Sequence, residues 1–234
     1  QELLGWWSRG LLDVDLTEGG WVRYATFELN DGRALVDTLE VAVVASGQDG
    51  TRWLQFAATS STERTLLLVE PARLEHSAEL LDALRRVVRV LPDGTLVEED
   101  VEEHRRSRLV QRHFKDPFED PTLIREALAD TTIGQDTIRR ERVRLTEEQR
   151  EERSLGRANL VLVTELDSRA VLSPDVPVFG VWSAHTSTLV TSRSEGGSGR
   201  TRTAPLETEV RLQCLDFGRG SEHALPASLS LDRP

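Results

Sequence analysis

The chain has one cysteine, no methionine and a single lysine, Lys115, among its 29 basic residues, and only 5% of it is aromatic. With Cys214 alone, an intramolecular disulfide and any cysteine-based zinc cluster are excluded, so packing must hold the fold together. No apolar run approaches the roughly 18 residues of a membrane-spanning helix, and an integral membrane protein is therefore not expected. A net charge of −11 leaves little basic surface to neutralise phosphates, which argues against a nucleic-acid partner. The densest basic stretch is His104-Arg105-Arg106-Ser107-Arg108 with Arg112. It follows directly on Glu98, Glu99, Asp100, Glu102 and Glu103, and such mixed charge reads as a solvated face.

Catalytic signatures are missing as well. There is no nucleophile elbow, and Cys214 lies in the strand-like Leu212-Gln213-Cys214-Leu215-Asp216, where a buried structural thiol is the expected role. The histidines His76, His104, His113, His185 and His223 never stand at a spacing that puts two on one face for a metal. His104 and His113 with Asp116, Glu119 and Asp120 read as a charged loop with turn-forming prolines, and Asp13/Asp15 and Glu147/Glu148 as solvated carboxylates. The glycines at 196–199 lack the lysine and the strand-turn-helix frame of a phosphate loop. No enzyme, metal or cofactor is expected from these residues. An enzyme would need His104 or His185 beside carboxylates in a cleft.

What the sequence does contain is strand after strand. Residues 20–29 alternate Trp21, Arg23, Ala25, Phe27 and Leu29 with Val22, Tyr24, Thr26 and Glu28, and neither set is uniformly polar. Asn30-Asp31-Gly32 supplies the positive φ of a tight hairpin before an extended run over 34–45, and Gln48-Asp49-Gly50 repeats the device before 51–57. Further strands are predicted at 65–69, 87–91, 95–98, 160–166, 176–182, 187–193 and 210–217, and extended chain over 131–145. The turn Pro92-Asp93-Gly94 joins two of them. A short helix is predicted over 77–86, where Leu80, Leu81 and Leu84 share a face behind a Ser77 cap. Dense charge with Asp116-Pro117 and Asp120-Pro121 predicts helices or loops over 100–130. Residues 146–153 read as a solvated hairpin tip or a brief helix, 194–199 as a flexible connector, and 221–234 as a flexible tail beyond a single domain over 1–220.

The segment Leu172-Ser173-Pro174-Asp175-Val176-Pro177-Val178-Phe179-Gly180-Val181-Trp182 is followed by Leu215-Asp216-Phe217-Gly218. It is preceded by Trp21-Val22-Arg23-Tyr24 and Asp49-Gly50-Thr51-Arg52-Trp53-Leu54. Together these resemble uncharacterised exported bacterial proteins with a fold like the periplasmic lipoprotein carriers. The resemblance implies a mainly β fold of the α+β class: a strongly curved antiparallel sheet, an unclosed barrel, with a helical insert packed on one side. It also implies an apolar concavity for acyl chains, and such a site requires roughly 300 Å³ or more. The ligand-lining residues expected on that concave face are Trp21, Phe27, Trp53, Phe179 and Trp182. Residues 176–182 read equally as a buried edge strand guarded by Pro174 and Pro177.

The function expected is non-catalytic: a periplasmic or secreted binding protein that holds a lipid or other apolar ligand. The alternative is a protein–protein interaction module using an edge strand or the Trp6/Trp7 region. Export is expected because the chain begins at Gln1 without methionine, as a processed N-terminus would, although a trimmed one would look the same.

Overall fold

The computed structural model describes residues 3, 12, 14–30, 33–74, 83–101, 122–133, 136–155, 158–195, 205–220, 225–226 and 229. Its first half is a meander of β1 (Gly20–Asn30), β2 (Arg33–Ser46), β3 (Arg52–Ala58), β4 (Arg64–Val69), β5 (Leu84–Val90) and β6 (Leu96–Glu99), with the one-turn helix α1 (Pro71–Leu74) after β4. Its second half contains β7 (Thr122–Ile133), β8 (Asp136–Leu155), β9 (Ala158–Leu172), β10 (Val181–Glu195) and β11 (Leu206–Arg219). All eleven strands join one antiparallel sheet in the order β6-β5-β4-β3-β2-β1-β11-β10-β9-β8-β7. The last strand returns to pair with the first, so two meanders are sewn together at the middle of the sheet, and among the described residues β6 and β7 form its two edges. The sheet is curved and does not close into a barrel.

Local chemistry explains the turns. Asp49 Oδ1 accepts hydrogen bonds from Thr51 N–H (3.1 Å) and Thr51 Oγ1 (2.7 Å), and Gly50 follows it at a φ of 86°. Asp93 likewise accepts from Thr95 N–H at 2.9 Å, with Gly94 at a φ of 83°. These are Asx turns, in which a side chain replaces a backbone acceptor and glycine takes the left-handed position. Register shifts occur in β1/β11, β10/β9, β2/β3, β4/β5 and β7/β8. An extra residue on one strand increases local twist and bend, which is how a sheet this wide curls without closing.

Several expectations are corrected here. Residues 122–130 are the edge strand β7, and the rest of the expected helical insert, 102–121, lies outside the described residues. Residues 84–86 open β5 rather than ending a helix, while 75–82, the bulk of that helix, also lie outside. Residues 146–153 are neither a tip nor a helix but lie in the second half of β8, whose partner β9 pairs with it as far as Leu155↔Ala158. The stretch 176–179 is not an edge strand: it is a turn-rich loop held by the isolated bridge Asp15↔Val178, and β10 starts only at Val181. Part of the tail is packed, since Leu225 and the buried Leu229 join an apolar cluster against β2–β5. The connector over 196–199 and the Trp6/Trp7 region fall outside the described residues.

Candidate functional site

Strand geometry sorts the side chains onto two faces, because alternate residues point to opposite sides and directly paired residues share a side. In β1, Val22 and Tyr24 are fully buried, and their partners Val41 and Leu39 on β2 and Phe217 and Cys214 on β11 lie on the same face. Following the pairing outward brings Leu54 and Phe56, Leu67, Val87, Leu212, Ala184, Ala170, Val143 and Leu145 to this face. Together they form one apolar cluster reaching from β5 to β8. We call this the inner wall.

One end of the wall is closed. The loop between β9 and β10 places Val176, Val178 and Phe179 against the cluster, all buried, and Leu3, Leu12, Val14 and Leu16 pack beside them. Val178 exchanges two 3.0 Å backbone hydrogen bonds with Asp15 and sits at a φ of 68°, an unusual angle for a β-branched residue. The plug is tied down elsewhere too: Ser173 N–H donates to Gly180 O at 2.7 Å, Arg139 N–H to Asp175 Oδ2 at 3.0 Å and Arg52 Nε to Leu16 O at 3.1 Å, and Arg219 pairs with Asp15. A strained φ persists only where its surroundings over-determine it, and these bonds do so.

Toward the other end, where β1, β2, β10 and β11 run to their hairpin tips, the same wall becomes progressively exposed. Val22, Val41, Leu54 and Val143 are sealed, Leu39, Phe56, Leu166, Ala184, Val190 and Val210 are half-buried, and Leu35 and Leu206 are 54% and 43% exposed. An apolar inner surface that opens in this graded way is the most distinctive feature of the molecule.

The five predicted ligand-lining residues do not gather there. Phe179 belongs to the plug, with its ring centroid 6.3 Å from that of Phe56. Trp182 packs at the margin of the inner cluster, edge-on to Phe217 at 6.3 Å. Trp21, Phe27 and Trp53 point to the opposite, outer face, and each carries an arginine over its ring: Arg23 at 5.7 Å, Arg211 at 5.3 Å and Arg86 at 5.6 Å. Trp53 is buried there in the second cluster with Leu66, Val88, Val90 and Leu229, and Trp21 packs on its rim. Parity decides this: Trp21 and Phe27 sit at odd positions of β1, whereas the wall uses the even ones. The residues missed by attending to large rings are the aliphatic Leu39, Leu166, Ala184 and Val190, together with Tyr24.

Beyond these aromatics and the second cluster, the outer face carries charged pairs alongside apolar groups such as the buried Val161 and Val36, which is 72% exposed. Arg23 pairs with Glu40 at 2.7 Å, Arg144 and Arg169 both with Asp167 at 3.0 and 2.7 Å, and Arg142 with Glu126 at 3.0 Å. His185 lies here, its Nε2 2.6 Å from Glu209 Oε1 and beside Arg211, in a surface ladder rather than a cleft. Exposed pairs of this kind add little stability, about 0–1 kcal/mol each, but they keep the face wet. Among the described residues no group of three or more histidine, cysteine or acidic residues could hold a metal, and no helix is long and apolar enough to cross a membrane.

The titration of this arrangement has a definite sign. Hydrogen bonds from Ser60 and Thr59 hold the Asp37 carboxyl far below its usual range. Asp49 and Asp93 are lowered by Thr51 and Thr95, Asp167 by Arg169 and Arg144, and Glu209 by Arg211 and His185. Burial raises the Tyr24 phenol well above its usual value and pushes the Cys214 thiol up to about 11. Lowered carboxyls contribute stability above their unfolded values near 4, and that contribution is lost as pH falls through the folded ones. The raised thiol and phenol contribute below their unfolded values, about 8.5 and 10, and that contribution is lost as pH rises. Urea midpoints measured against pH are therefore expected to plateau between about pH 5 and 8 and to fall on both sides. A midpoint that rises below pH 4 would contradict this account.

The class that fold and wall define is an open, single-sheet antiparallel protein with an apolar inner wall and an outer face that combines a second apolar cluster with charged pairs. No family model, curated protein or solved structure matches the chain.

Proposed function

We propose that the chain binds a lipid or another apolar molecule along the inner wall, as a carrier or binding protein working outside the cytoplasm. The observation that carries this reading is the graded exposure of the wall, sealed at Val22 and Val41 and open at Leu35 and Leu206. A sheet that existed only as a scaffold would gain by covering Leu39, Leu166 and Val190, since burial contributes roughly 25 cal/mol per Å² of apolar surface. An acyl chain laid along the wall supplies that cover, and the charged pairs of the outer face stay in water.

Native mass spectrometry of the protein purified from its own cell, followed by solvent extraction, tests the reading. The expected result is a co-purifying acyl mass that extraction removes, with the stripped chain then raising the fluorescence of cis-parinaric acid. A ligand-free mass together with no response to that probe would overturn it.

A second reading draws on the edge strand β7, where Leu123 and Ile124 are 44% and 54% exposed and no further strand pairs beyond it among the described residues. An edge can accept a partner's strand. Charged residues such as Arg125, Glu126 and Asp130 on β7 blunt that tendency, as they do on native sheet edges, so the inner wall is the favoured site.

A further inference from the structure

One polar atom on the inner wall is out of keeping with its surroundings. Tyr24 is fully buried between Leu39 and Cys214 on the neighbouring strands, and among the described residues its hydroxyl has no hydrogen-bond partner. The other buried hydroxyls of the central wall are provided for: Ser168 Oγ on β9 and Thr186 Oγ1 on β10 lie 3.1 Å apart and satisfy each other. Buried phenols ordinarily find a partner, and one left without it is destabilising. The next residue on the same face toward the hairpin tips, Thr26, is half-buried, between the half-buried Asp37 on β2 and the buried Leu212 on β11, so Tyr24 stands where the sealed part of the wall passes into the graded part.

We propose that Tyr24 is the polar anchor of the ligand site, its hydroxyl donating to a neutral carbonyl oxygen, ester or amide, of an acyl ligand. The inference rests on the apolar-ligand reading above and specifies what that ligand carries. Burial keeps the phenol protonated through neutral pH, so it acts as a donor and requires an acceptor. A carboxylate is the wrong acceptor here, because a buried anion needs a cation beside it. Among the described residues, arginines that the pairing puts on this face are engaged with other groups, Arg219 with Asp15 among them. Arg52 bonds to the backbone oxygens of Leu16, Gly50 and Thr51, Arg125 pairs with Glu141, and Arg89 pairs with Glu99 and Glu63. A neutral carbonyl satisfies the phenol without bringing charge into the wall.

The test uses the full, delipidated chain and three probes of equal chain length: a monoacylglycerol, its ether-linked analogue and the free fatty acid. Wild type is expected to bind the ester about three- to tenfold more tightly than the ether, the worth of one neutral hydrogen bond. Tyr24→Phe is expected to bind both with the ether's affinity. It should also melt about 2–6 °C higher when ligand-free, because the unpartnered hydroxyl is gone. An ester preference that survives in Tyr24→Phe overturns the anchor and leaves the apolar-ligand reading standing. Loss of ether binding in that variant, a lowered melting temperature, or tightest binding of the free acid by wild type also overturns the anchor. Failure of wild type to bind any of the three overturns both.

Discussion

Phe179→Ala is expected to destabilise the chain by about 3–5 kcal/mol, lowering its melting temperature by roughly 6–20 °C, the cost of emptying a fully buried aromatic site in a domain of this size. Phe179 has no exposed surface and packs on Phe56, and the loop that carries it is pinned at Val178 by two backbone bonds and cannot slide inward to fill the space. The spread of known truncation costs reflects how far a site can collapse, and a pinned loop places this one at the upper end. Phe27→Ala is the contrast. That ring is half-buried on the outer face under Arg211, so its removal is expected to cost about 1–2 kcal/mol, through lost area and a weakened cation–π contact. Thermal melts of the two variants check the pair, and equal losses would show that the plug does not close the wall as its contacts indicate.

How much of this could be read from the residues depends on where local chemistry and tertiary pairing agree. Gln48-Asp49-Gly50 and Pro92-Asp93-Gly94 announce their hairpins because the Asx bond and the left-handed glycine are properties of three or four consecutive residues. A mainly β fold was likewise legible from the succession of strands and turns, whereas the curved, unclosed form was expected only from the resemblance. Strand β8 was not. Its sequence Glu147-Glu148-Gln149-Arg150-Glu151 has no apolar alternation, and only its pairing with β9 holds it extended. In β7, Glu126-Ala127-Leu128-Ala129 favours helix, and the ladder to β8 overrides that preference. The faces were obscured for another reason. Both sides of β1 carry large apolar groups because both are covered, one by the plug and its neighbours, the other by arginines and the Leu225–Leu229 region, so alternation alone cannot say which side is the wall.

That ambiguity is resolved by a pair of adjacent substitutions on β9. Leu166 is a half-buried member of the inner wall, paired with Thr188, while Glu165 is exposed on the outer face, paired with Leu189 and Glu148. Leu166→Arg removes about 1.5–3 kcal/mol of apolar contact with a bound chain and places a charge where the ligand must exclude water. The two effects together are expected to weaken binding of an acyl probe at least about 100-fold, which corresponds to roughly 2.7 kcal/mol. The fold should survive, since the site is already open enough for an arginine head to reach water while its stem lies along the wall. Glu165→Arg introduces the same side chain one residue away, and binding should stay within about twofold of wild type, because neighbours on a strand point to opposite faces. Probe titrations with circular dichroism on both variants decide the matter. If both lose binding equally, the charge acts globally and the wall is not the site. If neither does, the ligand lies elsewhere on the sheet, and the exposed leucines at the hairpin end need another explanation.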